Sequence, residues 1–207
     1  YQYWEWTQGV GLYGLWKLFS YEKKESYLEM LTRFYDRQIG IGFPALNVNT
    51  AAPYLAMSFL AEYTGEEKYL RPCVEAAEKV MAEFPRTDEG GFQHKTSDTL
   101  NEQELWDDTL YMTVLFLANM GRILKNQAMT EEAQYQFLIH EKYLCDKVSG
   151  LWYHGWTFKE KNNFAGAFWG RGNCWITMAI PEFLEICDCN EAVKRLLVNT
   201  LREQVQS

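Results

Sequence analysis

Two kinds of helix alternate along this 207-residue chain, and the alternation limits the folds that it can adopt. Four segments are apolar and rich in small residues: 7–19, 50–63, 107–124 and 173–186. Each is followed by an amphipathic segment with a charged face: 25–37, 67–84, 131–145 and 191–205. A helix that is apolar nearly all round is buried, whereas one with a polar face lies at the surface. The pattern therefore predicts an all-α toroid of four helical hairpins, with inner helices covered by outer ones.

The links between these helices differ in length in a regular way. Links from an inner to an outer helix are short, but those from an outer to the next inner helix are long: 38–49, 85–106 and 146–172. All the long links lead into the N-terminal ends of inner helices, so we expect them to gather at one end of the toroid. Long loops in compact domains are usually functional, and helix N-termini favour anions. We therefore expect a site for an anionic substrate there.

The last long link and the helix start that follows it are rich in aromatic residues. Residues 150–156 read GLWYHGW and residues 163–175 read NFAGAFWGRGNCW. Disordered segments have few aromatics, so this composition argues against disorder. Flat aromatic faces beside polar donors suit a sugar ring. The segment is expected to form a pocket wall, and its 151–158 part could form a short β-hairpin.

Composition excludes several classes of partner. The net charge of −8 argues against nucleic-acid binding, which needs clustered Lys and Arg. No run of 18 apolar residues predicts a membrane span. Five cysteines, an odd number, fit reduced thiols better than a disulfide framework. The chain starts at Tyr1 rather than Met, which indicates a trimmed or partial chain, so the missing signal peptide is weak evidence for the expected cytoplasmic location.

Adjacent carboxylates at the predicted start of the third inner helix are the sharpest chemical candidates. Asp107 is expected to cap the helix, which leaves Asp108 in the first turn, free to point into the site. The helix end would lower the pKa of Asp108, whereas burial beside Trp106 would raise it. Metal binding would need a third acid on the same face, where Tyr111 stands instead. No metal or cofactor is expected.

Two histidines and one arginine lie in the long links. His94 and His154 could donate to hydroxyls or carboxylates, although loop histidines are often only surface residues. Arg171 lies between two glycines, and its planar donor fork suits a carboxylate. A salt bridge to an Asp or Glu of the chain remains the alternative. His140, in a charged outer helix, is expected to be solvated, and Asn49, Thr50 and Asn173 have the residue types of helix caps.

The chain resembles the unsaturated rhamnogalacturonyl hydrolases of glycoside hydrolase family 105, with the unsaturated glucuronyl hydrolases of family 88 as cousins. The resemblance rests on collinear segments that span nearly the whole chain: 4–14, 47–53, 90–94, 106–112, 150–156 and 163–175. It implies an (α/α)6 barrel, of which about four hairpins are present. The chain is therefore expected to be one domain, 1–207, that is incomplete at its C-terminus and exposes an open side capable of self-association.

The resemblance also implies a chemistry. Asp108 would protonate C4 of a 4,5-unsaturated uronic acid and activate the water that attacks C5. The substrate-binding residues would be Trp6, Asn49, His94, Trp106, His154, Trp169, Arg171 and Trp175. The expected substrates are oligosaccharides that lyases make from pectin. Other sugar chemistry on the same toroid, such as the family 88 substrates or isomerisation, remains an alternative. So does a non-catalytic oligosaccharide-binding remnant.

Overall fold

The structure is a computed structural model that describes residues 4–164 and 166–207. Tyr1, at which the sequence starts, and Ala165, within the aromatic segment, lie outside the described residues. The helices are α1 (Trp6–Glu22), α2 (Glu25–Ile41), α3 (Val48–Thr64), α4 (Glu67–Glu83), α5 (Leu115–Leu124), α6 (Gln127–Leu144), α7 (Gly170–Ile186) and α8 (Glu191–Gln206). A π-helical segment, Leu110–Val114, leads directly into α5.

The predicted inner and outer layers are confirmed by burial. Helix α3 buries 12 of its 17 residues, whereas α4, which follows it, buries six of 17. Helix α7 likewise buries seven residues and α8 three. The difference follows from composition, because α4 and α8 each have one apolar face and α3 is apolar nearly all round. The inner layer therefore consists of α1, α3, the π-helical segment with α5, and α7.

Neighbouring inner helices pack side by side. Helix α3 contacts both α1 and α5, and α5 contacts α7. Gly9 allows the close approach of α1 to α3, since an added Cβ would lie 2.7 Å from Ala52. Helices α1 and α7 are joined across the interior, where the Tyr13 hydroxyl donates to Glu182 Oε2 at 2.5 Å. The Gly9 contact brings the N-terminal ends of α1 and α3 together, and the Tyr13 bond ties the middle of α1 to the C-terminal part of α7.

Three helix starts differ from the sequence prediction. Helix α6 begins at Gln127, after its cap Asn126, rather than at residue 131. Helix α3 is capped by Asn47, which forms a capping box with Thr50, rather than by the Asn49–Thr50 pair. Asn173 is not a cap either, because it lies inside α7. Its side-chain amide accepts from the Trp152 N–H and donates to the Trp152 C=O, both at 2.8 Å. Asn173 thus fastens the 150–156 segment to α7.

A short antiparallel pairing joins two of the long links. Strand β1 (Glu104–Trp106) pairs with β2 (Gly155–Thr157), and Trp106 lies opposite Gly155. The expected hairpin within 151–158 is therefore wrong, because these residues pair with the preceding long link instead. The pairing places the residues that flank the two strands, Asp107 and His154, side by side.

His140 is fully buried, so the expectation that it is solvated is wrong. It lies on the face of α6 that also carries Ala133, Phe137 and Leu144, all buried. Its Nδ1 lies 2.7 Å from the Gln136 carbonyl oxygen, to which it donates. Burial lowers the pKa of His140 to about 4, which keeps the ring neutral.

Within the described residues, no helix is long and apolar enough to cross a membrane.

Candidate active site

A cavity of about 320 Å³ opens at the N-terminal ends of the inner helices. All nine residues singled out in the sequence line it: Trp6, Asn49, His94, Trp106, Asp108, His154, Trp169, Arg171 and Trp175. They come from α1, α3, the long links and α7, which are far apart in sequence. The structure therefore brings the predicted residues together at one end of the toroid.

Asp108 lies at the start of the third inner helix, with its side chain 18% exposed. Its Oδ1 is 3.2 Å from His94 Nδ1, but the geometry is not that of a hydrogen bond. A π-helical segment begins two residues later, and such segments are frequent at functional sites. Among the described residues that line this cavity, Asp108 is the only one with a carboxylate. Glu5 and Asp98 line an adjoining cavity that shares Trp6, Asn49 and Thr96 with it.

His94 forms part of the cavity floor. Its ring stacks on that of Trp106, with centroids 4.4 Å apart and planes 7° from parallel. Its Nδ1 lies 3.0 Å from Thr109 Oγ1, and its backbone carbonyl accepts from the Asn101 side chain at 2.7 Å. Burial lowers the pKa of His94 even though Asp108 acts in the opposite direction. The ring is therefore a neutral hydrogen-bonding group at pH 7.

The Asp107 side chain bonds to His154 and does not cap the helix, so the expectation of a cap is wrong. Its side chain is fully buried, and its Oδ1 accepts from His154 Nδ1 at 2.8 Å. Burial raises the pKa of Asp107 to about 6, although the pairing with His154 lowers it. Partial burial alone would lower the pKa of His154, but the hydrogen bond to Asp107 and the carboxylate charges together raise it.

Arg171 lies among aromatic rings at the rim of the cavity. Its guanidinium carbon is 3.9 Å from the ring centre of Trp169 and 5.8 Å from that of Trp6. Trp6 in turn meets Trp175 edge to face at 5.9 Å. Within the described residues, Arg171 makes no ion pair with a carboxylate, so the salt-bridge alternative has no support. The cavity therefore carries a planar cation beside three tryptophans, and no carboxylate of the described residues pairs with it.

Sequence reasoning missed four residues of the cavity wall: Thr96, Thr99, Asn101 and Met112. Asn101 has a left-handed backbone, with φ at 43°, which lets its side chain turn back onto the His94 carbonyl. Asn tolerates this conformation better than most residues. Met112 lies one turn beyond Asp108, a spacing from which its place in the cavity could have been predicted.

Among the described residues, no group of three or more His, Cys, Asp or Glu is arranged to hold a metal ion.

The layered helices, with an aromatic cavity at one end, define a protein of the (α/α)-barrel class. The model of glycosyl hydrolase family 88 matches residues 1–207, and the chain belongs to this family. It is 31% identical over 206 residues to the unsaturated rhamnogalacturonyl hydrolase YesR of Bacillus subtilis (strain 168). That alignment covers 99% of this chain and 60% of YesR.

Solved structures agree with this assignment. A possible member of family GH105 from Klebsiella pneumoniae subsp. pneumoniae MGH 78578 is 44% identical, with a TM-score of 0.96. The match covers 98% of this chain and 54% of that one. The unsaturated glucuronyl hydrolase of Bacillus sp. GL1 is 18% identical, with a TM-score of 0.72 over 97% of this chain and 56% of that one, and it shares the fold. This chain thus spans a little over half the length of these relatives.

Proposed function

We propose that the chain supplies the active site of a hydrolase that removes a 4,5-unsaturated uronic acid from the non-reducing end of lyase-generated oligosaccharides. The observation that carries the proposal is that Asp108 is the only carboxylate among the described residues that line the cavity. Ordinary glycosidases need two carboxylates, one on each side of the glycosidic bond. A single carboxylate fits chemistry at the sugar's own double bond, where one group gives and then takes a proton.

The reaction consumes one water molecule. Asp108, as the acid, protonates C4 of the vinyl ether, and positive charge develops at C5 and the ring oxygen. The resulting carboxylate takes a proton from the water that attacks C5, so Asp108 is restored. The hemiketal at C5 opens to a ketone, and the hemiacetal left at C1 releases the next sugar as its free alcohol. Proton transfer by one positioned group is typically worth 10²–10⁴-fold in rate.

The other cavity residues fit the binding of an unsaturated uronate. Arg171 presents a planar donor fork to the carboxylate, and Trp6, Trp169 and Trp175 offer apolar faces to the sugar ring. The neutral ring of His94 lies beside Asp108 and can bond to a hydroxyl group. We propose rhamnogalacturonan fragments as the substrate, because the chain is 31% identical to a rhamnogalacturonyl hydrolase over nearly all its length.

The test uses an unsaturated galacturonyl–rhamnose disaccharide and its saturated counterpart. Loss of the ultraviolet absorbance of the double bond, in step with release of rhamnose, is expected for the unsaturated sugar alone. Cleavage of both sugars at similar rates would mean ordinary glycosidase chemistry. Calorimetric binding without turnover would favour an oligosaccharide-binding role, and absence of both would reject the proposal.

A further inference from the structure

Asp107 and His154 are linked through both backbone and side chain. The ladder between β1 and β2 ends with the Asp107 N–H donating to the His154 carbonyl oxygen at 3.0 Å. The His154 ring then bonds through Nδ1 to Asp107 Oδ1 at 2.8 Å. Because the strand pairing fixes both backbones, the side-chain bond has little freedom to adopt another geometry.

The surroundings hold the His154 ring in one orientation. Trp106 and Trp169 meet it edge to face at 4.8 and 4.6 Å. Behind the pair, Gly172 in the first turn of α7 leaves room for the Asp107 carboxylate. A Cβ added at Gly172 would lie 3.2 Å from Asp107 Cγ and 3.3 Å from His154 Nδ1, and closer still to Asp107 Oδ2. The absence of a side chain at Gly172 therefore leaves the space that the Asp107–His154 pair occupies.

We propose that Asp107 is a positioning residue for His154. By accepting the Nδ1–H bond it fixes the orientation and tautomer of the ring, so that Nε2 is the nitrogen offered to a sugar in the cavity. The inference deepens the proposed function and rests on it for the identity of the sugar. The second nitrogen of a histidine is generally set by the hydrogen bond that the first one makes.

The charges around His154 decide how much of the ring is protonated. Asp107 and Asp108 favour the cation, whereas the guanidinium of Arg171 disfavours it. The neighbouring His94 is neutral at pH 7 and opposes protonation of His154 only where it is itself protonated. Partial burial lowers the pKa of His154, but the two carboxylates outweigh it and the net shift is upward. A protonated His154 would offer an Nε2–H donor to the substrate carboxylate, close to Arg171. This donor is lost as the pH rises through the raised pKa.

The test is ¹⁵N NMR of the histidine side chains in the chain without substrate. In the wild type we expect His154 to carry its proton on Nδ1 when neutral, and to titrate above the ordinary value of 6.5. Asp107→Asn should lower the His154 pKa by about one pH unit or more, the scale of losing a carboxylate within hydrogen-bond distance. Asp88→Asn, which removes an exposed carboxylate from a long link, is the matched control and should change neither property.

Activity on the unsaturated disaccharide gives the second measurement. Asp107→Asn should lower kcat/KM by about tenfold to a hundredfold, the range seen when the carboxylate that orients a metal-bound histidine is removed. The variant should also move the alkaline limb of the pH profile to lower pH. A wild-type His154 protonated on Nε2 when neutral would overturn the positioning role without any variant. An unchanged His154 pKa in a folded Asp107→Asn would overturn it as well. If NMR shows the expected Nδ1 proton and the lowered His154 pKa in Asp107→Asn, but the wild type does not turn over the disaccharide, Asp107 still positions His154. That outcome would reject the proposed function instead.

Discussion

Replacing Gly172 with alanine should destabilise the protein by crowding the Asp107–His154 pair. The added Cβ would lie closer to Asp107 Oδ2 than the 3.0 Å that real Cβ atoms keep from other atoms. That oxygen belongs to a fully buried side chain held by a hydrogen bond, so it cannot swing away into solvent. Either the carboxylate or the first turn of α7 must therefore move.

The expected loss in the free energy of unfolding follows from the steric overlap between the added Cβ and Asp107. Inserting a methyl group into a well-packed region typically costs about 1–3 kcal/mol. For a chain of this size, each kcal/mol lowers Tm by roughly 2–4 °C, so thermal unfolding should shift down by roughly 2–12 °C. Circular dichroism or calorimetry measures the shift directly.

Two controls isolate the mechanism. Gly170→Ala lies two residues earlier in the same helix, with nothing within 4 Å of the added Cβ, and should be neutral or stabilising. Asp107→Ala should relieve the crowding, so the combined variant should lose less stability than the sum of the single ones, by about 0.5–3 kcal/mol. Equal stability of Gly172→Ala and Gly170→Ala, or strict additivity with Asp107→Ala, would refute the steric reasoning.

Three further predictions concern other parts of the molecule. Arg171→Ala should raise KM for the unsaturated disaccharide about tenfold or more, with a smaller change in kcat. Arg171→Lys should recover only part of the lost substrate binding, because lysine lacks the planar donor fork. As the pH drops from 6.5 towards about 4, the wild type should lose stability relative to His140→Gln, because the unfolded chain binds a proton on His140 that the folded chain excludes. The comparison with the variant removes the opposite effect of Asp107, whose pKa is raised to about 6 and which both chains contain. The chain should self-associate, since Leu18 and Tyr21 on α1 are 46% and 89% exposed, and a monomer in sedimentation at high concentration would contradict this.

The helical layers and the cavity could be predicted from the sequence because both depend on residue patterns within single segments of the chain. The apolar and charged segments alternate with the helix period, and the long links carry the tryptophans and histidines that the cavity uses. Helix α6 begins four residues before the predicted segment, because Asn126 caps it by accepting from the Met129 N–H. Such a cap could have been recognised from its residue type.

The pairing of side chains could not be predicted, because it depends on contacts between distant segments. Nothing near Asp107 in sequence indicates that its partner is His154, 47 positions away, since the β1–β2 pairing that joins them is only three residues long. The burial of His140 could be predicted from the sequence, because the residue shares a helix face with Ala133, Phe137 and Leu144. The many charged residues on the other faces of α6 make this apolar stripe hard to recognise.

The most direct test of the central claim compares Asp108→Asn with Asp88→Asn on the unsaturated disaccharide. Asn keeps the shape of the side chain but can neither give nor take the proton, so turnover should fall at least about a hundredfold, while calorimetry still detects substrate binding. Asp88 is exposed in a long link, and its substitution should leave turnover unchanged. Retained turnover in Asp108→Asn, or an equal loss in both variants, would contradict the assignment of Asp108 as the group that protonates the double bond.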